Sequence, residues 1–108
     1  MNSIVEKPTA PDHLRPETAR WYEKIAGEYI LESHHLRLLE LAATAWDRAT
    51  AAREALAKNG CVYENRFGEP RPRPEVKIEK DASAAYARFL RELQLDVDPP
   101  ESTRIPGI

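Results

Sequence analysis

The sequence predicts a mainly α-helical fold of three helices built around a long central one, with a possible short β-hairpin before the last helix. Apolar residues recur at the three- and four-residue spacing of helices in three separate segments. Between the second and third segments, the run EPRPRP carries prolines that force extended backbone. A chain of 108 residues is long enough for one such domain.

The first predicted helix covers about residues 16–31. Pro16 suits the first helical position, because the N–H that proline lacks would have no partner there. Tyr22, Ile25 and Tyr29 follow at helical spacing and predict one apolar face. The stretch ILES then breaks the pattern and separates this helix from the next.

The second predicted helix is the longest element and covers about residues 34–59. Ser33 is a plausible N-cap, since its hydroxyl can accept a bond from a free amide of the first turn. Gly60 is the expected left-handed stop at the other end. About 26 residues at 1.5 Å each give a helix of roughly 39 Å.

Residues 61–73 are predicted to be extended or to form a weak hairpin, with a turn near Phe67 and Gly68. A third helix over about residues 74–95 opens at Pro74 and carries an apolar stripe. Its stripe comprises Ile78, Ala82, Ala85, Tyr86, Phe89 and Leu93.

Flexible segments are predicted at both ends of the chain. Residues 1–12 lack periodicity and contain two prolines, so we interpret them as an arm. Residues 96–108 are polar and proline-rich and are interpreted as a tail. The helical domain is therefore expected at residues 13–95, between the two flexible segments.

The second helix has more apolar surface than one packed face requires. On a helical wheel its apolar residues sweep about 200°, against about 100° for a helix that packs on one side. One interpretation is a core helix enclosed by the other two. We favour a ring-forming homo-oligomer, in which part of the arc packs on a neighbouring copy, because two shorter helices have difficulty covering both sides. The predicted interface comprises Leu38, Leu39, Leu41, Ala42, Ala45, Trp46, Ala49 and Leu56.

Positive charge is concentrated in the middle of the chain. Residues 48–80 hold 8 Lys/Arg against 5 Asp/Glu, whereas the segments before and after are both net acidic. A basic stretch repeated around a symmetric assembly favours binding to double-stranded DNA. The candidate DNA-binding residues are Lys58, Arg66, Arg71, Arg73 and Lys77. The alternatives are a solvated proline-rich linker and a rival DNA surface on the first helix, at Arg15, Arg20 and Lys24.

A helix-turn-helix formed by the first two helices is a further alternative. Its turn length is acceptable, but a reading helix needs exposed polar residues near its start, and few are present here. The second helix is also too long and too apolar for that role.

Catalytic, metal and membrane functions lack sequence support. His34 and His35 are adjacent and point about 100° apart on a helix, whereas a shared metal needs i, i+4 spacing. Cys61 is the single cysteine, so no internal disulfide can form. There is no glycine-rich phosphate loop and no 18-residue apolar run. Residues 1–15 contain no apolar stretch of the kind found in signal peptides, so we expect no export. We therefore expect a cytoplasmic protein that is not an enzyme and has no cofactor, no metal and no membrane span.

The order of these features over about residues 11–98 resembles the small-subunit terminases of tailed phages, in the branch with a central helical hairpin. The matching features are a helix with Trp21, Ile25 and Tyr29, a leucine-rich start to the long helix, an AWDRA centre and a helix end at Gly60. A strand-like VYENRFGEPRPRP and a final EKDA…FLREL helix complete the set.

The resemblance implies a non-enzymatic subunit that assembles into rings in the infected bacterial host. Members recognise viral DNA at the packaging site and pass it to the large terminase subunit, whose ATPase and nuclease they modulate. By region, the long helix would line the contact between subunits, and the C-terminal tail would contact the large subunit. The rival function is a small dimeric helical regulator or antitoxin-like module that binds an operator or a partner protein.

Overall fold

A computed structural model describes residues 9–29, 31–95 and 97–100. In this part of the chain the elements follow in the order α1 (Pro16–Glu28), α2 (Ser33–Asn59), β1 (Val62–Glu64), β2 (Pro70–Pro72) and α3 (Pro74–Leu93). The mainly helical class, the three helices and the short hairpin predicted from the sequence are confirmed. Helices α2 and α3 form an antiparallel pair, and α1 packs along one side of it.

Helix α1 is capped by a side chain of another helix. Arg15 occupies the N-cap position and has no side-chain cap of its own. The carboxylate of Asp47 on α2 accepts the Arg15 backbone N–H at 2.8 Å and the Thr18 hydroxyl at 2.6 Å. These bonds satisfy a donor that every helix start leaves open, and they fix where α1 begins on the surface of α2. The helix ends at Glu28, three residues before the predicted end at residue 31.

Both ends of α2 differ in detail from the prediction. The N-cap is Glu32 rather than Ser33, and Glu32 forms a capping box with His35. Gly60 does end the helix, and its N–H donates to the Leu56 carbonyl at 2.7 Å. Its backbone angles are φ 84° and ψ 170°, so it leaves the helix in an extended direction rather than in the left-handed helical region. Such a positive φ favours glycine.

Strands β1 and β2 form a two-stranded antiparallel ribbon with Tyr63 opposite Arg71. All six strand residues are exposed. A ribbon of this size has little stability of its own, and it is held at its base by α2 and α3. The third helix stops at Leu93, two residues before the predicted end, because Gln94 turns left-handed at φ 59° and ψ 34°.

The core lies where α1 meets the first half of α2 and the last half of α3. Its central side chain is Leu39, which is fully buried. Residues from both predicted flexible segments also pack here: Ala10 is buried, and Val97 lies against the cluster. The indole N–H of Trp21 donates to the Asp98 carbonyl at 2.8 Å. The buried cluster comprises Ala10, Leu14, Trp21, Tyr22, Ile25, Ala26, Leu39, Ala43 and Leu93.

The two polar residues within the apolar arc of α2 both have partners. Arg53 donates through Nε to Glu79 of α3 at 2.9 Å, and both side chains are about one-third exposed. Thr50 donates its hydroxyl to the Trp46 carbonyl one turn earlier, at 2.9 Å. Arg53 therefore takes part in the α2–α3 contact, and the Thr50 hydroxyl is satisfied within α2.

Candidate nucleic-acid interface and oligomer surface

The structure brings the five predicted DNA-binding residues to one end of the molecule, here called the basic end. Lys58 lies in the last turn of α2 and Lys77 in the first turn of α3. Arg66 is in the loop of the ribbon, Arg71 is in β2, and Arg73 is the N-cap of α3. The cations meet because the ribbon joins the adjacent ends of two antiparallel helices.

Most of these cations are only loosely engaged by the protein. Arg71 approaches Glu69 at 3.4 Å and Lys77 approaches Asp81 at 2.6 Å, with side chains 57% and 80% exposed. Exposed pairs of this kind contribute about 0–1 kcal/mol, so a phosphate can replace the carboxylate at small cost. Arg73 is more constrained: its guanidinium lies 5.9 Å from the Tyr63 ring centroid and its Nε is buried.

The loop of the ribbon is organised by the side chain of Asn65. Its Oδ1 accepts the backbone N–H of Phe67 at 2.8 Å and that of Glu69 at 3.0 Å. The Asn65 backbone exchanges further bonds with Gly68 and Glu69. Gly68 has φ 77°, a conformation that favours glycine. The loop is thus a defined turn, and it leaves the Phe67 side chain 73% exposed.

Sequence reasoning placed Phe67 near the turn but missed the role of Asn65. The available signal was an asparagine three residues before a glycine, since asparagine side chains accept bonds from backbone amides that follow them.

The rival DNA surface on α1 has one of its three cations engaged in an ion pair. Arg15 donates from both Nη atoms to the two carboxylate oxygens of Glu54, each at 2.9 Å. This hydrogen-bonded pairing raises the pKa of Arg15 and lowers the pKa of the Glu54 carboxyl. Arg20 and Lys24 remain exposed on α1. Because bidentate pairs are the strong kind, Arg15 is a structural residue that holds α1 on α2.

The predicted oligomer interface divides into residues inside the subunit and residues on its surface. Leu39, Ala42, Ala45 and Ala49 are buried within the single chain. Trp46 packs against Tyr86 of α3, with ring centroids 4.8 Å apart. Much of the apolar arc is therefore covered by α1 and α3. The rest is partly accessible: Leu38 and Leu56 are half-buried, and Leu41 is 48% exposed.

An apolar groove runs between α2 and α3 on the surface. It has a volume of about 440 Å³ and is lined by Arg48, Ala51, Ala52, Ala55, Glu75 and Ile78. Ile78 is 45% exposed. Leu41 lies seven residues before Arg48, which places both on the same face of α2. We call Leu41 together with the groove the apolar face.

Two further properties concern the described residues alone. In residues 9–29, 31–95 and 97–100, no three potential ligands among His, Cys, Asp and Glu come together as a metal site. Over the same part of the chain, no helix combines the length and hydropathy needed to cross a bilayer.

Fold and surface together define a small helical-hairpin protein with a basic end and an apolar face. The family model described as phage terminase, small subunit, matches residues 19–104. The match begins inside α1 and covers α2, the ribbon and α3 completely.

The chain therefore belongs to the phage terminase small subunits, as its resemblance to them indicated, and its general role is in phage DNA packaging. Neither a curated protein nor a solved structure matches it.

Proposed function

We propose that this subunit binds viral double-stranded DNA at the packaging site, assembles as a homo-oligomeric ring, and recruits and modulates the large terminase subunit. The observation that carries the DNA-binding proposal is the convergence of Lys58, Arg66, Arg71, Arg73 and Lys77 at one end of the molecule. Family membership supplies the biological setting. The protein acts by binding and positioning and carries out no chemistry of its own.

The basic end has the dimensions and the chemistry of a DNA-binding element. A two-stranded β-ribbon can lie in a groove of B-DNA, and the flanking lysines on α2 and α3 can contact phosphates on either side. A single copy with about five cations binds weakly at physiological salt. Several copies held in one assembly raise the effective concentration of the patch and convert weak contacts into stable binding.

The apolar face supports self-association. Complete burial of Leu41 and Ile78 on a neighbouring copy would remove apolar area from water, contributing about 1 kcal/mol for each half-exposed side chain. The alanines of the groove allow close approach of a second helix. Arg48 and Glu75 line the same groove with opposite charges, so two copies can satisfy both charges across the contact.

The contact with the large subunit is assigned to the C-terminal tail. Of residues 96–108, the structure describes 97–100, and the remainder of the tail lies outside the described residues. Asp98 is joined to the core through Trp21, so the tail starts from a fixed point at the end of the molecule opposite the ribbon.

Charge reversal tests the DNA-binding part of the proposal. Arg71→Glu/Arg73→Glu should weaken binding to phage DNA and reduce the slope of log K against log salt by about one for each phosphate that the variant no longer neutralises. The matched control is Arg20→Glu/Lys24→Glu, which makes the same charge change on the exposed face of α1. Arg71→Glu alone guards against damage to the ribbon, because Arg73 is partly buried.

Gel-shift or anisotropy titrations at several salt concentrations measure both quantities. If the wild type and the Arg71→Glu/Arg73→Glu variant bind DNA with equal affinity, the DNA site does not lie at the basic end. The native mass, measured with and without DNA, tests the ring. A mass of many times 12.3 kDa is expected, whereas a dimer would favour the regulator alternative.

A further inference from the structure

Phe67 is the most exposed large apolar side chain of the described residues. Its ring is 73% exposed at the tip of the ribbon, compared with 55% for Val62. The nearby Arg66 guanidinium lies 5.0 Å from the ring centroid. Burying a phenyl group contributes about 1.5–3 kcal/mol, so a partner that covers this ring would gain affinity from it.

The loop holds this ring outward instead of letting it fold back. Asn65 accepts two backbone amides of the turn, and Gly68 provides the positive φ that closes it. Pro70 and Pro72 fix their own φ angles in β2, which stiffens the short ribbon. A side chain presented on a stiff support can enter a partner without a large entropic cost.

The charges of the segment that carries Phe67 favour a polyanionic partner. Residues 58–77 contain five cations, Lys58, Arg66, Arg71, Arg73 and Lys77, against three acidic residues, Glu64, Glu69 and Glu75. An apolar tip on a basic ribbon matches a duplex, which has apolar base faces in its interior and phosphates along its edges. Proteins that bend DNA insert apolar side chains between base pairs in this way.

We propose that Phe67 is a wedge that enters a base step of double-stranded DNA, partly unstacks it and bends the duplex. This inference rests on the proposed DNA-binding function. Arg66, next in the chain, contacts the phosphate beside the opened step, and Arg71 contacts the backbone further along the ribbon. The wedge favours pyrimidine–purine steps, because these unstack and kink most easily.

The test uses the full-length protein and a duplex of about 30 base pairs with a central TpA step, since such steps are flexible. The adenine of that step is replaced by 2-aminopurine, whose fluorescence rises on unstacking, and the duplex ends carry a donor and an acceptor dye. Wild-type protein should raise both the 2-aminopurine signal and the energy transfer between the ends.

Phe67→Ser should abolish both signals and weaken binding roughly 5- to 150-fold, the range typical of losing one aromatic–base contact. Phe67→Leu should retain part of each signal, because leucine also acts as a wedge. Val62→Ser removes another exposed apolar side chain of the same ribbon and should leave the signals unchanged. Phe67 and Val62 are 73% and 55% exposed, so each substitution loses little burial and all three variants should fold.

The outcomes separate this inference from the function on which it rests. Wild-type binding without a fluorescence or energy-transfer change overturns the wedge and leaves the DNA-binding function standing. Equal bending by Phe67→Ser also overturns the wedge. A lower native mass of Phe67→Ser without DNA shows that Phe67 contacts a second copy, and this too overturns it. If the wild type binds no DNA at all, the proposed function fails together with the wedge.

Discussion

At the scale of single residues, Tyr86 is one of three described side chains with a buried polar atom that has no hydrogen-bond partner. It packs between Trp21 and Trp46. Among the described residues its buried hydroxyl has no hydrogen-bond partner. Burial raises the pKa of Tyr86 to about 12. A buried polar group without a partner costs about 1–3 kcal/mol, so this hydroxyl lowers the stability of the fold.

Tyr86→Phe should therefore raise the free energy of unfolding by about 1 kcal/mol at neutral pH. The raised pKa means that ionisation disfavours the folded state: stability is full below pH 10 and falls as the pH rises from about 10 towards 12. The variant should lose this component of alkaline destabilisation. Urea denaturation at pH 7 and pH 11 measures both effects, and Tyr29→Phe at an exposed position is the control. A less stable Tyr86→Phe would show that the hydroxyl has a partner in solution.

The cations of the basic end could be identified from the sequence because they are close together in the chain. The pairing of Arg15 with Glu54 could not, since 39 positions separate them. Local spacing carries no information about which surface cation a distant carboxylate will bind. For the same reason the sequence could not show that the ring of Trp46, a predicted interface residue, lies against Tyr86 of the same chain.

At the scale of elements, the attachment of α1 depends on carboxylates of α2. Asp47 caps the helix and Glu54 binds Arg15 in a bidentate pair. The lowered pKa of Glu54 means that its contribution to stability is present above the ordinary carboxyl pKa and is lost as the pH falls through the lowered value.

Glu54→Gln should accordingly be less stable than the wild type at pH 7, and this difference should disappear at strongly acidic pH. Thermal unfolding followed by circular dichroism over a pH series measures the two curves. Glu64→Gln, which changes an exposed carboxylate of the ribbon, is the matched control. A stability difference that persists unchanged into acid would contradict the role of the Glu54 charge.

The elements themselves were largely predictable, because their starts are local signals. Pro16 and Pro74 mark two helix starts, and Gly60 marks a helix end. The predicted end of α1 was too late because apolar residues continue beyond Glu28. Leu31 is packed against the core although it lies outside any helix, so an apolar residue after a helix can be buried by tertiary contacts alone.

At the scale of the whole molecule, much of the apolar arc of α2 is covered within one chain, and its role between copies stays a prediction. Helices α1 and α3 pack on different sectors of α2 and bury Leu39, Ala42 and Ala49 inside one chain. The alanines of α2 are small and let α3 approach closely. A helical wheel shows which residues share a face of one helix, but it does not show where the neighbouring helices lie. The apolar face is the part of the apolar surface that stays exposed in one chain, and it is the surface proposed to contact a second copy.

Leu41→Glu should reduce the native mass, because it places a charge in the proposed contact without a partner. Leu41 is 48% exposed, so the fold of the subunit should survive. Ser83→Glu introduces the same charge at an exposed position of α3 and is the control. Analytical ultracentrifugation at micromolar concentration gives the masses. A wild-type mass of one subunit, or an unchanged mass for Leu41→Glu, would contradict the proposed role of the apolar face in assembly.

The groove and the basic end share the start of α3, where Glu75 and Ile78 line the groove and Lys77 lies between them in the chain. A partner bound at either surface therefore restrains the same helical turns. Binding equilibria that are coupled are reciprocal. If a bound duplex raises the affinity of the copies for one another by some factor, association of the copies raises their affinity for the duplex by the same factor. The supply of DNA and the ionic strength would then govern how much assembled protein exists, as well as where it sits.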